Sequence, residues 1–498
     1  MSESAPPVGS SPSTTATAIA TAAPSSGLKR NALGVATIAF LVISAAGPLG
    51  YLGGTAPLMI TLGGTGAPAA FLFAGITLAL FLIGFTAMTP HVKNEGAFYA
   101  YISTGMGRAA GAVGAIFALL AYNLILIATL GVITTYINPV IESVTGYGPP
   151  WPVTATAIAA AVFALGTRGI DVGARVLGVL LALEAALLAA LAVAVIVQGG
   201  ADGISAASLT PSEVSAPGMG AVLALGFIGF LGIEGTALYR SEARDPEQTI
   251  PRASYLAVGV ITVFYCFVTW AVIQAFGTGT VAQAANTYGA QLFFVAAEQY
   301  LGLWASYAMN ALILTSLLAA QLAFHNAANR YMHSLALDQM LPPVLARTAS
   351  RTYAPWVAGL AQLVASLLVL AITGMVGLDP YREMSLWLAA LSVVLIVLLQ
   401  IMTCVAVVVF FRRQGGAVVG AVRGVVAPVA AALLLGAALW LLLRRFDLLT
   451  LAGSGVNTVL LTVLAGLIVL TLLWAGLTRR LRPERLALVG VREPDPQP

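Results

Sequence analysis

The sequence predicts an all-α polytopic membrane protein of 12 transmembrane helices, ten of them forming a 5+5 inverted repeat and two appended. Three observations predict the many-span helical plan, and two interrupted spans five helices apart predict the repeat. Of the 498 residues, 59% are hydrophobic and only 8% charged, with a mean hydropathy of +0.94; a soluble domain carries about 25% charged residues. Apolar stretches of the ~20 residues that a crossing helix needs recur along the chain. Nearly every basic residue falls on one side of the alternation those stretches define.

Taken in order, residues 1–27 are mostly Ser, Thr, Ala and Pro with a single acid, a composition that predicts a disordered tail. The spans are expected near 32–60, 67–89, 109–136, 151–167, 172–197, 218–239, 253–276, 301–331, 355–374, 384–411, 417–443 and 456–477. Of the 23 basic residues, all but Arg382, Arg444 and Arg445 lie in odd-side loops or the two tails. That bias places both termini in the cytoplasm and the chain in the plasma membrane. It also makes the pI near 9.1 a topology signal rather than a nucleic-acid surface. The expected organisation is the tail at 1–27, a core over 28–411 with repeats at 28–198 and 217–411, helices 11 and 12 within 412–478, and a cytoplasmic tail at 479–498.

Cys266 and Cys404 lie inside apolar runs and form no disulfide framework. His91, His325 and His333 have no metal-ligand spacing, no cofactor is implied, and no phosphate-binding Gly-x-x-x-x-Gly-Lys motif exists. An intramembrane enzyme would want convergent catalytic side chains, and only two separated acids, Glu184 and Glu234, lie within spans. Asp245, Glu242 and the nearby arginines read as a solvated loop network or an inner gate.

Two spans are poor helices. Span 6 carries Gly226, Gly229, Gly232 and Gly235 at every third residue around Glu234, and each interior glycine costs about 1 kcal/mol relative to alanine. Span 1 carries Ser44-Ala45-Ala46-Gly47-Pro48-Leu49-Gly50. Pro48 cannot donate to Ser44 and can start a fresh helix, leaving the amides of Leu49 and Gly50 free at its positive end. The alternatives are glycines that merely let helices approach closely, and a simple proline kink. Interruptions at corresponding places five helices apart point to a binding site between inverted repeats, because broken backbone at membrane depth must line a cavity.

The loops carry a resemblance. Pro90-His-Val-Lys-Asn-Glu-Gly96-Ala-Phe-Tyr99-Ala-Tyr101 follows span 2, Ser241-Glu-Ala-Arg-Asp245-Pro246-Glu-Gln-Thr-Ile250-Pro251-Arg252 follows span 6, and Asn329-Arg330-Tyr-Met-His-Ser-Leu-Ala-Leu-Asp338-Gln-Met-Leu341-Pro342 ends span 8. Over roughly residues 30 to 480 the chain resembles the amino acid–polyamine–organocation permeases, of the bacterial amino acid permease type. The resemblance implies the leucine-transporter fold and secondary transport of amino acids or related amines. It implies a substrate site on the span-1 stretch Ser44, Ala45, Ala46, Gly47, Leu49 and Gly50, with Pro48 a departure from the usual Gly-x-Gly that removes one donor. In span 6 it implies Phe227, Gly229, Phe230, Leu231 and Gly232, the carbonyls of Gly229 to Leu231 facing the substrate ammonium. Phe230 is the candidate lid, and Tyr101 with Glu234 the inner gate. Glu184 falls near a lysine that some proton-coupled relatives place where sodium-coupled ones hold their cation, so it is a candidate carrier of the coupled proton. Thr315 and Ser316 on span 8 are the candidate ligands if the ion is sodium.

The expectation is therefore a proton-coupled or exchanging permease, an antiporter or symporter working by alternating access, either monomer or homodimer. Its partners would be a small amino acid or amine, the coupling ion and the lipid bilayer. A transporter of another cationic or zwitterionic metabolite and a non-transporting membrane sensor remain the alternatives.

Overall fold

The computed structural model describes residues 31–168, 170–414 and 420–491. The tail expected at 1–27, Lys29, Arg30 and Arg492 lie outside the described residues, as does the side chain of Arg175.

Among the described residues, 11 helices are long and apolar enough to cross a membrane. In chain order they are Val35–Gly54 (span 1), Ala69–His91 (span 2), Arg108–Thr145 (span 3), Gly178–Gln198 (span 5), Met219–Tyr239 (span 6), Pro246–Phe276 (span 7), Leu303–Leu337 (span 8), Trp356–Val376 (span 9), Pro380–Arg413 (span 10), Val422–Arg444 (span 11) and Ser454–Leu481 (span 12). The stretch expected as span 4 is the shorter apolar helix Trp151–Gly166, of 16 residues. At 1.5 Å per residue it covers about 24 Å, less than the ~30 Å of hydrocarbon. Pro149 and Pro150 fix its start and Gly166 its last turn.

Several spans outrun their expected limits. Span 3 continues to Thr145, 38 residues in all, because the hydrocarbon edge ends the need for apolar side chains without interrupting backbone bonding. The left-handed Gly146 stops it. The stretch after span 7, expected as a loop, folds into Val281–Tyr288 and Leu292–Leu301. Their apolar faces bury Val281, Leu292 and Phe293, with the Val281–Tyr288 helix laid against Ala56–Gly63, the extension of span 1.

Burial ranks the spans. Span 6 is 89% buried along its most apolar window and span 1 67%, against 22% for span 9 and 17% for span 12. The two glycine- and proline-interrupted helices are thus the two most enclosed, where broken backbone is shielded from lipid. Span 3 packs against spans 8 and 10, held to span 10 where the Ser385 and Ser392 hydroxyls donate to the Ala128 and Ala121 carbonyls at 2.6 and 2.8 Å.

The face at which span 1 begins, here the near face, is tightly closed. Ala32 and Leu33 donate their amides to the Glu242 carbonyl at 2.9 Å, and Arg244 donates back to Leu33. Glu242 is 3% exposed and takes a forked contact from Arg330 at 2.8 and 3.0 Å, whose guanidinium lies 4.8 Å over the Tyr239 ring. Of the solvated network expected there, Arg244 and Asp245 are exposed, whereas Glu242 forms a buried ion pair, because Arg330 belongs to the packed end of span 8. Between spans 2 and 3 lies a short helix, Phe98–Met106. The chain returns to it after span 12, where Val489 is fully buried, the Ser103 hydroxyl donates to the Val489 carbonyl at 2.6 Å and the Gly490 amide donates to Asp338 at 2.7 Å.

Candidate functional site

Span 1 is two helices, Val35–Ala46 and Pro48–Gly54, joined at Gly47 with φ 53° and ψ 67°. Only glycine takes that left-handed geometry without strain. Gly47 donates to the Ser44 carbonyl at 3.1 Å and accepts from the Tyr51 amide at 2.8 Å. Leu49 and Gly50 are the second and third residues of the new helix, so no carbonyl four residues back within it receives their amides.

Span 6 breaks just as sharply. The helix Met219–Gly226 tightens to a single 3₁₀ turn over Phe227–Phe230, Leu231 is extended, Gly232 turns left-handed at φ 97°, and a second 3₁₀ stretch runs over Ile233–Tyr239. Among the described residues, the carbonyls of Gly229, Phe230 and Leu231 accept none of the backbone hydrogen bonds made outside the helices.

Between the two breaks lies a cavity of about 230 Å³. Of the residues expected at the site, Ala45, Ala46, Gly47, Gly50 and Leu231 line it. Ser44, Leu49, Phe227, Gly229, Phe230 and Gly232 do not. Phe230 is 1% exposed and packed away from the space, and Phe227 stands edge-on to Phe73 at 6.0 Å. The extended Leu231 reverses which side chain faces inward, so Leu231 and Phe324 form the bulky wall where Phe230 was expected as a lid. The sequence reading missed Tyr51, whose hydroxyl donates to the Leu225 carbonyl at 2.9 Å and ties the second half of span 1 to the first half of span 6. It also missed the span-8 stripe Leu317, Ala320 and Phe324, legible as an i, i+3, i+7 face. Away from the near face the cavity continues past Tyr136 and Tyr381 to Leu448 and Leu451. Among the described residues, no Asp, Glu, Lys, Arg or His lines it.

The candidate coupling residues divide. Glu184 is 2% exposed, and its carboxylate faces the Ser316 hydroxyl and the Leu49 amide. Neither Glu184 Oε1 nor Ser316 Oγ is seated in a well-formed hydrogen bond. Ser316 Oγ lies 3.8 Å from where a β-carbon on Gly47 would stand, which puts the group beside the span-1 break. Thr315 is not part of it: its hydroxyl donates to the Leu312 carbonyl of its own helix at 2.8 Å.

The expected gate pair does not meet. Glu234 is held by span 3, where the Tyr122 hydroxyl donates to its Oε1 at 2.8 Å, and its Oε2 has no partner. Tyr101 sits on the Phe98–Met106 helix with its hydroxyl 2.8 Å from that of Thr89 and its ring stacked 4.2 Å from Phe85. Burial pushes its phenol up to about 12, so it stays a neutral partner of Thr89.

Fold and site together define a polytopic, all-helical membrane protein whose two interrupted helices enclose a small apolar cavity. The chain belongs to the amino acid permease family, whose sequence model matches residues 33–469. It is similar to an uncharacterized transporter of Mycobacterium bovis, 32% identical over 240 residues, which make up 46% of this chain and 52% of that one. The same figures hold for an uncharacterized transporter of Mycobacterium tuberculosis. A lysine-specific permease of Lactococcus lactis is 32% identical over 153 residues, 30% of this chain and 29% of the permease. The chain thus spans about half the length of the mycobacterial relatives it matches.

Proposed function

We propose that the protein is a secondary transporter of small neutral amino acids, working by alternating access across the plasma membrane with both termini in the cytoplasm. The observation that carries this reading is a cavity bounded by two helix breaks and, among the described residues, free of ionisable side chains apart from tyrosine. A zwitterion in that space would find a carboxylate partner at the Gly50 amide and its ammonium partners at the carbonyls ending the first half of span 6. The rest of the wall is apolar, which suits an aliphatic side chain. The cavity is smaller than the roughly 300–1,000 Å³ of drug-sized sites. The lysine-specific permease is a relative, but a second ammonium here would have no carboxylate facing it, so lysine is a poor fit.

The closed near face and the cavity reaching the opposite side match an outward-facing arrangement. Residues 28–198 and 217–411 then act as inverted repeats rocking about the two breaks. Glu184 carries the coupled proton, which in its protonated form it can donate to the Ser316 hydroxyl, while the Leu49 amide donates to the ionised form. A sodium ion held by Ser316 and the backbone at the break is the other coupling reading, favoured by the unseated Ser316 hydroxyl.

Uptake into proteoliposomes tests both levels. Labelled alanine or leucine is expected to accumulate under an imposed proton gradient, with lysine neither transported nor competing. Accumulation of lysine in preference to neutral amino acids would overturn the substrate class. Glu184→Gln is expected to retain substrate binding and exchange while losing the response to the gradient, and unchanged proton-driven uptake in that variant would remove Glu184 from the coupling step.

A further inference from the structure

A second cavity, about 210 Å³, opens at the near-face ends of the Trp151–Gly166 helix and spans 8 and 9. Span 8 separates it from the central one: Leu317, Ala320 and Phe324 face the central space, whereas His325, Asn326 and Asn329 face this one. Its mouth carries Arg168 and Arg351, both exposed, and among the described residues neither forms an ion pair. The floor is Asn329, only 5% exposed, with its amide nitrogen 2.9 Å from His325 Nε2 and its Oδ1 aimed at the cavity without a partner. Turning the amide over leaves the pair bonded, with His325 donating, and presents the Asn329 NH₂ to the space. Among the described residues, three arginines line the cavity against one glutamate, and Arg330 and Glu242 already satisfy each other. The surplus charge is therefore the two arginines at the mouth.

The surroundings fix the depth. Trp356 is 40% exposed and Tyr353 46% beside the mouth, while Leu165, Leu360 and Val364 expose apolar surface along the adjoining helices. An aromatic and arginine rim where apolar helix surface meets loop is the headgroup level of a bilayer. Arginine forks match phosphate oxygens, and a buried amide matches a hydroxyl or ester oxygen below them.

We propose that this cavity binds a phosphate-bearing anionic headgroup, at a site distinct from the substrate cavity and walled by the Glu242–Arg330 pair. Occupancy there bears directly on the contact that ties the loop after span 6 to span 8.

Thermal unfolding of the purified full-length protein, read alongside native mass spectrometry, tests this without any transport measurement. Dioctanoyl phosphatidylglycerol is expected to raise the melting temperature saturably and to remain bound. Dioctanoyl phosphatidylcholine, whose choline offsets the phosphate, is expected to do so far less. In R168Q/R351Q the apparent affinity for phosphatidylglycerol should fall ~10-fold or more, as loss of two charge-assisted contacts implies, while R168K/R351K, which keeps the charges but loses the forks, should fall less. A matching shift with inorganic phosphate alone would assign the site to a free phosphate, and a shift confined to phosphatidylglycerol assigns it to lipid. No shift with either probe, equal shifts with both lipids, or undiminished affinity in R168Q/R351Q overturns the proposal.

Discussion

A methyl group on residue 229 would stand 2.8 Å from the Tyr51 ring and 3.0 Å from that of Tyr265. Those two rings stack at 5.4 Å, and Tyr51 also bonds the Leu225 carbonyl, so neither can withdraw cheaply. Gly229→Ala is expected to destabilise the protein by about 1–3 kcal/mol through overpacking and to lower substrate affinity, read as a lower melting temperature that added substrate restores less well. At Gly232 the obstacle is conformational. Its φ of 97° is left-handed, and Gly232→Ala is expected to cost about 1–2 kcal/mol and to abolish uptake by pulling the break towards helix. The glycine spacing alone pointed to where span 6 comes apart, since glycine acts on its own backbone. It did not show which side chain faces the cavity. That depends on the turn at Leu231 and Gly232, and so of the two expected residues Leu231 lines the cavity and Phe230 does not.

Whole helices were legible where the cause is local and not where it is tertiary. Pro48 forbids a hydrogen bond in any context, and the span-1 break falls beside it. Thr315 and Ser316 look alike in the chain, but on a helix they point about 100° apart, and only Ser316 reaches the break. Glu234 finds Tyr122, 112 residues distant, a pairing that no short-range pattern announces. The same holds for Glu242 and Arg330, 88 residues apart. Removing one partner of a buried pair costs about 3–5 kcal/mol, and here that cost falls on the closed near face. Glu242→Gln is expected to expose that face, so that a cysteine placed at the buried Ala243 is alkylated faster than in the parent protein. Unchanged labelling would show that the backbone contacts of Ala32 and Leu33 hold the closure without the ion pair.

Over the whole molecule, the apolar runs and the charge bias anticipated the all-helical, many-span plan, because the bilayer sets span length and apolarity independently of tertiary packing. The short Trp151–Gly166 helix matches the expected stretch 151–167 to within one residue, but at 16 residues it falls short of the length of the other crossing helices. The helices at Val281–Tyr288 and Leu292–Leu301 were hidden because they are short and need only one apolar face. Ending the chain after Leu481 would remove Leu486, 4% exposed, and the fully buried Val489. Such a truncation is expected to lower the melting temperature and to speed proteolysis at the Phe98–Met106 helix, with the central cavity still binding substrate. That contact also sets an order of assembly. Ser103 leaves the ribosome long before Val489, so the helix between spans 2 and 3 waits, its packing unfinished, until translation of the last span is over and the newest residues fold back to complete it.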